Sequence, residues 1–206
     1  VVDADAGHPL TDAVSAAFTI TGSLSLTAPS SGEILTVNGI KSITWTKIGT
    51  ITTVNLYYST DDFTSQTGIS TGLTGTSFSW TVPDAISSNV KIKVVDADAG
   101  HPATDAISAA FTIKGNLSVA SPTAGEVLTV NGSKTITWTK TGTITTLNLF
   151  YSANDFATQT AIASGVTGTS FAWTVPDAIS SNVKIKVGDA DAGHPATDAI
   201  SPAFTI

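Results

Sequence analysis

Apolar and polar residues alternate in short stretches along this chain, with clusters of Gly, Pro, Asn and Asp between them every 8–15 residues. No sustained helical period of 3.6 appears, so the pattern predicts strands throughout. The clearest lies at Lys134 to Lys140, where Ile136 and Trp138 fall on one face and Thr135, Thr137 and Thr139 on the other. Leu147, Leu149 and Tyr151 follow in phase and are expected inward, which turns Phe150 outward, as it does Tyr57 earlier in the chain. Phe171, Trp173 and Val175, and then Val183, Ile185 and Val187, form two further inward sets. Ser121-Pro122 stops the strand carrying Leu117 and Val119, as suits an edge strand that breaks and changes partner. Glu126 to Val130 resumes before a turn at Asn131-Gly132.

The pattern repeats. Residues 21–113 and 114–206 align without a gap and differ at 24 of 93 positions, mostly by mild exchanges such as Ile34/Val127 and Tyr57/Phe150. A unit of 93 residues can bury its own core. The prediction is all-β: two tandem immunoglobulin/fibronectin-like Greek-key β-sandwiches of about seven strands each. Residues 1–20 match the end of a unit and are expected to be the last two strands of a preceding repeat, in a chain cut from a longer polypeptide. The units meet across Ile20 to Leu24 and Ile113 to Leu117, too short for a free hinge, with Gly22 and Gly115 allowing a bend.

Composition narrows the function. The net charge is −7 and all nine basic residues are Lys, which argues against nucleic acid and anionic membrane surfaces as partners. No apolar run approaches the length of a membrane helix. Cysteine is absent, so disulfides are not the stabilising device. Sparse charge with abundant Ser, Thr and Val has the look of secreted surface repeats. The outward faces, rich in Ser, Thr and Ala, suit lateral packing, and edges without charge protection suit pairing between chains.

The densest chemistry lies in a loop that occurs three times: Val2–Pro9, Val95–Pro102 and Gly188–Pro195. It supplies Asp3, Asp5 and Asp12; Asp96, Asp98 and Asp105; and Asp189, Asp191 and Asp198. Carboxylates at alternate positions ahead of a Gly, with a later acid, are the hard oxygen ligands a calcium loop needs. The alternative is a hairpin loop whose Asp side chains cap backbone amides. In an immunoglobulin-like topology this loop faces the preceding unit, opposite the loop that carries Asp84, so carboxylates from two loops gather at one joint. His8, His101 and His194 are the only histidines, one per loop, and no cysteine accompanies them, which leaves a zinc site poorly furnished. No Gly-x-Ser-x-Gly nucleophile elbow is present. Outward Tyr57 and Phe150, with Phe63 and Phe156 nearby, are candidates for stacking on sugar rings or for packing against a neighbouring strand.

Ser121 to Glu126, Ile136 to Trp138, Leu149 to Ser152, Phe171 to Pro176, Val183 to Asp191 and Ala203 to Ile206 together resemble the tandem immunoglobulin-like surface repeats of large bacterial secreted proteins. They are also similar to the Ser/Thr-rich cell-wall domain of the yeast Kre/Knh type. The resemblance covers the whole unit. It implies a sandwich at the cell surface or outside the cell and no enzyme, and it carries no ligand residues. The expectation is a non-catalytic structural repeat of a stalk, filament or sheath. Its partners would be neighbouring repeats and copies of itself. The alternative is an adhesin-type module binding glycan through the outward aromatics.

Overall fold

A computed structural model describes residues 1–2, 4–7, 9 and 11–206. The chain is all-β. The first unit contains β1 (Ser23–Ala28), β2 (Ile34–Thr36), β3 (Ile40–Ile48), β4 (Val54–Ser59), β5 (Thr67–Leu73), β6 (Ser77–Thr81), β7 (Ser87–Asp96), β8 (Asp105–Ile107) and β9 (Phe111–Lys114). One sheet has the order β1-β3-β6; the other has β2-β9-β7-β4-β5, with β8 also on β7. All pairs are antiparallel except β2 with β9. Two sheets connected in this order form the Greek-key sandwich the strand spacing predicts.

The second unit repeats it with β10 (Asn116–Ser121), β11 (Ser133–Thr141), β12 (Leu147–Ser152), β13 (Thr160–Val166), β14 (Ser170–Thr174), β15 (Lys184–Asp189) and β16 (Asp198–Ile200). There the β2–β9 and β7–β9 pairings shrink to single bridges, Val127 with Thr205 and Val183 with Phe204. The first strand of each unit leaves its sheet at a cis X-Pro bond, Ala28-Pro29 and Ser121-Pro122. In the first unit the chain then joins the opposite sheet as β2, the change of partner that the proline signals.

Alternation sets the core. Ile136, Trp138, Leu147, Leu149, Trp173, Val175, Val183, Ile185, Val187 and Phe204 are buried, as are their first-unit counterparts. Tyr151 is half-buried and tilts onto Trp173, which also meets Phe204 edge-on. The indole nitrogens of Trp45 and Trp138 are buried without an acceptor. An unpaired donor costs about 1–3 kcal/mol. Burying roughly 200 Å² of ring returns about 5 kcal/mol, so burial wins.

The described part of residues 1–20 keeps the local hairpin of a unit's end. Val2 bridges Asp12, the pairing that Val95 makes with Asp105, and Val1 exchanges bonds with Ala13. Phe18 and Ile20 are 77% and 79% exposed, whereas Phe111 and Ile113, at the same positions of the first unit, are 1% and 0%.

Close packing, rather than conformational freedom alone, accounts for Gly22 and Gly115. A Cβ on Gly115 would lie 2.7 Å from the Thr141 carbonyl oxygen and 2.7 Å from Ile144 Cδ1; on Gly22 it would lie 2.8 Å from both the Ile48 oxygen and Ile51 Cδ1. Glycine stands here because strand and loop approach too closely for a side chain.

Candidate functional site

The Asp-rich loop follows β7 in the first unit and β15 in the second. Gly100 and Gly193 turn it, both at φ of about +83°. Asp98 reaches across to the Thr52-Thr53 segment before β4. Its Oδ2 accepts the Thr52 amide (2.5 Å), and its Oδ1 accepts the Thr53 amide (2.9 Å) and both threonine hydroxyls (2.6 and 2.5 Å). Asp191 takes the same four donors from Thr145 and Thr146. The Thr52 and Thr53 hydrogen bonds hold the Asp98 carboxyl well below the ordinary carboxylate range. At Asp191 burial pushes the other way, but the Thr145 and Thr146 donors outweigh it and the net shift is again strongly downward.

Asp96 is the second pin. Its Oδ1 accepts the Asp98 amide at 3.0 Å, and its Oδ2 lies 2.8 Å from His101 Nδ1. Asp189 and His194 repeat this at 2.9 Å. Asp96, Asp98 and His101 thus offer ligand atoms within 4.8 Å of one another, as do Asp189, Asp191 and His194. Asp105 and Asp198 stand apart from these groups, on β8 and β16, facing Val95 and Gly188 across the strand pairs. Asp12 bridges Val2; Asp5 is exposed; Asp3 and His8 lie outside the described residues. Asp98 and Asp191 thus cap amides and hydroxyls on the segment leading into β4 or β12, while Asp96 and Asp189 cap an amide within the loop. An ion would have to compete with four hydrogen bonds for Asp98 or Asp191.

Tyr57 and Phe150 lie on the outer side of β4 and β12, half-buried. Lys93 and Lys186 stand opposite them on the neighbouring strands. The Lys186 ammonium sits 5.3 Å from the Phe150 ring centre and 5.1 Å from that of Phe156, and Lys93 sits 4.8 Å from Phe63. Phe150, Asn148, Lys186 and Asp198 share the wall of an open hollow of about 210 Å³. Beside these aromatics, Ser59 and Asp61 close the loop after β4: Asp61 accepts the Ser65 amide and hydroxyl, which lower its pKa to about 2.

The joint between units is the most specific contact. β9 runs into β10 with Gly115 alone between them. The Gly142-Thr143 turn of the second unit rests on the first: Asp84 accepts the Thr143 amide at 3.0 Å and its hydroxyl at 2.5 Å. Ile86 packs against the cores of both units. A Cβ on Gly142, at φ 89°, would lie 3.1 Å from Ile86 Cδ1 and 3.2 Å from Val37 Cγ2. His194 lines the same cleft as Asp84, Ile86 and Thr143, so the Asp-rich loop does face the preceding unit. The alternation of the sequence could not show the partners of Asp98 and Asp84, which lie 45–59 residues away. The visible signal was the recurrence of Ile-Thr-Thr before β4 and β12.

No family model matches the sequence, and no curated protein does. Among solved structures the chain has matches at low similarity. Fibronectin(III)-like modules of CbhA from Clostridium thermocellum are 16% identical, with a TM-score of 0.32 over 87% of this chain and 94% of theirs. The N-terminal four Ig domains of Dscam1 isoform 9.44 are 10% identical at a TM-score of 0.40, over 91% of this chain and 46% of that one. Domains A168-A170 of titin are 9% identical at 0.30, over 90% and 67%. These likenesses are distant. The strand order and pairing above identify the chain as tandem immunoglobulin-like β-sandwich repeats.

Proposed function

We propose that the chain is a non-catalytic structural segment, a run of spacer units in a stalk, filament or sheath at the cell surface or outside the cell. One observation carries this reading: the two units are joined by a built contact, with one glycine between β9 and β10 and the Thr143 turn held by Asp84. Such a joint transmits position from unit to unit, which is what a spacer needs. The repetition of the same capped loop in both units supports it, since the polar groups of that loop act on their own β-sandwich.

Stretching the chain between its ends tests this. Each unit should unfold in its own force peak, lengthening the tether by about 300 Å for a chain of this length. A trace without two such peaks removes the load-bearing reading. Antibody to the chain should also label intact source cells.

A second reading has its own support. The hollow at Phe150, with an aromatic ring beside an amide, a cation and a carboxylate, has the chemistry of a sugar subsite. Glycan-array binding lost on Tyr57→Ala with Phe150→Ala would favour it; an empty array would remove it.

A further inference from the structure

The free edges of the sheets are not alike. β1 and β10 are broken by a bulge before a cis proline, Pro29 and Pro122. β5 and β13 carry register shifts and a glycine at positive φ, Gly72 and Gly165. β2, β8 and β16 are three residues long. Such features keep an edge from pairing with a further strand. β6 and β14 have none of them. They run in unbroken register along β3 and β11, and no residue from Phe63 to Pro83 or from Phe156 to Pro176 is charged.

The register fixes which main-chain groups are free. Trp45 donates to the Thr76 carbonyl and Val82 to that of Gly39, so in phase with them Phe78 and Trp80 face β3 with their amides and carbonyls. Ser77, Ser79 and Thr81 alternate with these and turn theirs to the side where β6 has no neighbour. Ser170, Ala172 and Thr174 do the same on β14. All six residues are exposed, and Phe78 and Phe171 are half-buried. β6 stays open with a unit following it, and β14 with a unit preceding it. Neither neighbour in the array therefore covers this edge.

We propose that β6 and β14 pair antiparallel with the same edge of a second copy of this chain, so that the β1-β3-β6 or β10-β11-β14 sheet continues from one chain into the next. Free main-chain amides and carbonyls select an extended strand, and this strand complements itself. With Ser79 opposite its own counterpart, Ser77 meets Thr81, and all three exchange main-chain hydrogen bonds with the copy. Phe78 then meets Trp80 on the inner side, an aromatic cross-strand pair, while the outer side carries only hydroxyls. No like charges are brought together. The inference goes beyond the spacer reading, which needs no lateral partner. With one such edge in each unit, a chain can hold copies at two places along its length, which gathers single stalks into a bundle or sheath.

Sedimentation equilibrium of the full chain tests this. A contact this small is weak, so the chain should be a monomer at about 10 μM and reach a weight-average mass of at least about 1.5 times the monomer at about 1 mM. Over the same range, amide exchange followed by NMR should slow at Ser77, Ser79 and Thr81. Ser79→Lys with Ala172→Lys sets like charges opposite each other and should keep the chain monomeric, as should Ser79→Glu with Ala172→Glu. Mixed in equal amounts, the Lys and Glu variants should associate again. Ser25→Lys with Ser118→Lys, on the far edge of the same sheets, should leave association unchanged. All these positions are exposed, and unchanged melting midpoints confirm folding. A monomeric wild-type chain at about 1 mM overturns the inference. So does association indifferent to the β6 and β14 charges, a mixture that stays monomeric, or exchange that slows elsewhere but not on β6. The Asp84–Thr143 joint is untouched in every variant, so each of these failures would leave the spacer reading standing.

Discussion

Replacing Gly115 by Ala separates two accounts of the junction. If this glycine were a hinge, Ala would restrict the unfolded chain more than it harms the fold and would stabilise by about 0.4–1 kcal/mol. The structure places a Cβ there at 2.7 Å from the Thr141 carbonyl oxygen, 2.7 Å from Ile144 Cδ1 and 3.1 Å from Ile144 Cγ1. Neither neighbour yields easily: one is backbone, and Ile144 is 1% exposed. Overpacking of this kind costs about 1–3 kcal/mol. Set against the entropic gain, the net loss is about 1–2 kcal/mol. A unit of this size unfolds with an entropy of about 0.2 kcal/mol/K, so its midpoint should fall by about 5–10 °C. Differential scanning calorimetry, with hydrogen exchange to assign the transition to the second unit, reads this directly. Gly22→Ala should do the same to the first unit. An unchanged or raised midpoint would refute the packing account and restore the hinge.

Three further outcomes follow from the site. Asp98 and Asp191 have depressed folded pKa values, so their contribution is present above the unfolded carboxylate pKa near 4 and is lost as pH falls below it; Asp98→Asn with Asp191→Asn should flatten the melting midpoint between about pH 4 and pH 2, and an equally steep acid limb would count against the capping role. Melts in millimolar calcium and in chelator should superimpose, because the Asp98 and Asp191 oxygens already accept four donors each; a rise in calcium that vanishes on Asp96→Ala would make the loops ion sites. Ser201 is 3% exposed, accepts the Ile185 amide and donates to the Pro202 carbonyl, so Ser201→Ala should cost about 1–3 kcal/mol in denaturant unfolding, and a loss under a few tenths would show that the amide finds another partner.

Much of the fold is legible because a strand's period is short. Ile136, Trp138, Trp173 and Val175 declare their faces within a few residues, and Pro29 and Pro122 mark where the first strand leaves its sheet. The Asp-rich loop stands out by its repetition, and its placement at the joint follows from topology. What the loop does was not legible. Asp96 and Asp98 have the spacing of ligands, but whether they meet an ion or backbone donors depends on Thr52 and Thr53, brought near only by the pairing of β4 with β7. Asp105, close in sequence, is carried away on β8 by its own pairing. Gly115 shows the limit from another side: conformational freedom and close approach both select glycine, and only the neighbours distinguish them.

The central claim is that the units are held in one arrangement by Asp84 and Thr143. The chain has no cysteine, so Ser79→Cys with Ala172→Cys, equivalent exposed positions on β6 and β14, would place one spin label on each unit. Pulsed electron-electron resonance then gives the distribution of distances between them. The account predicts one narrow peak that broadens when Asp84→Ala and Thr143→Ala are added. A broad distribution in the otherwise unmodified chain, or a narrow one indifferent to those substitutions, would contradict it.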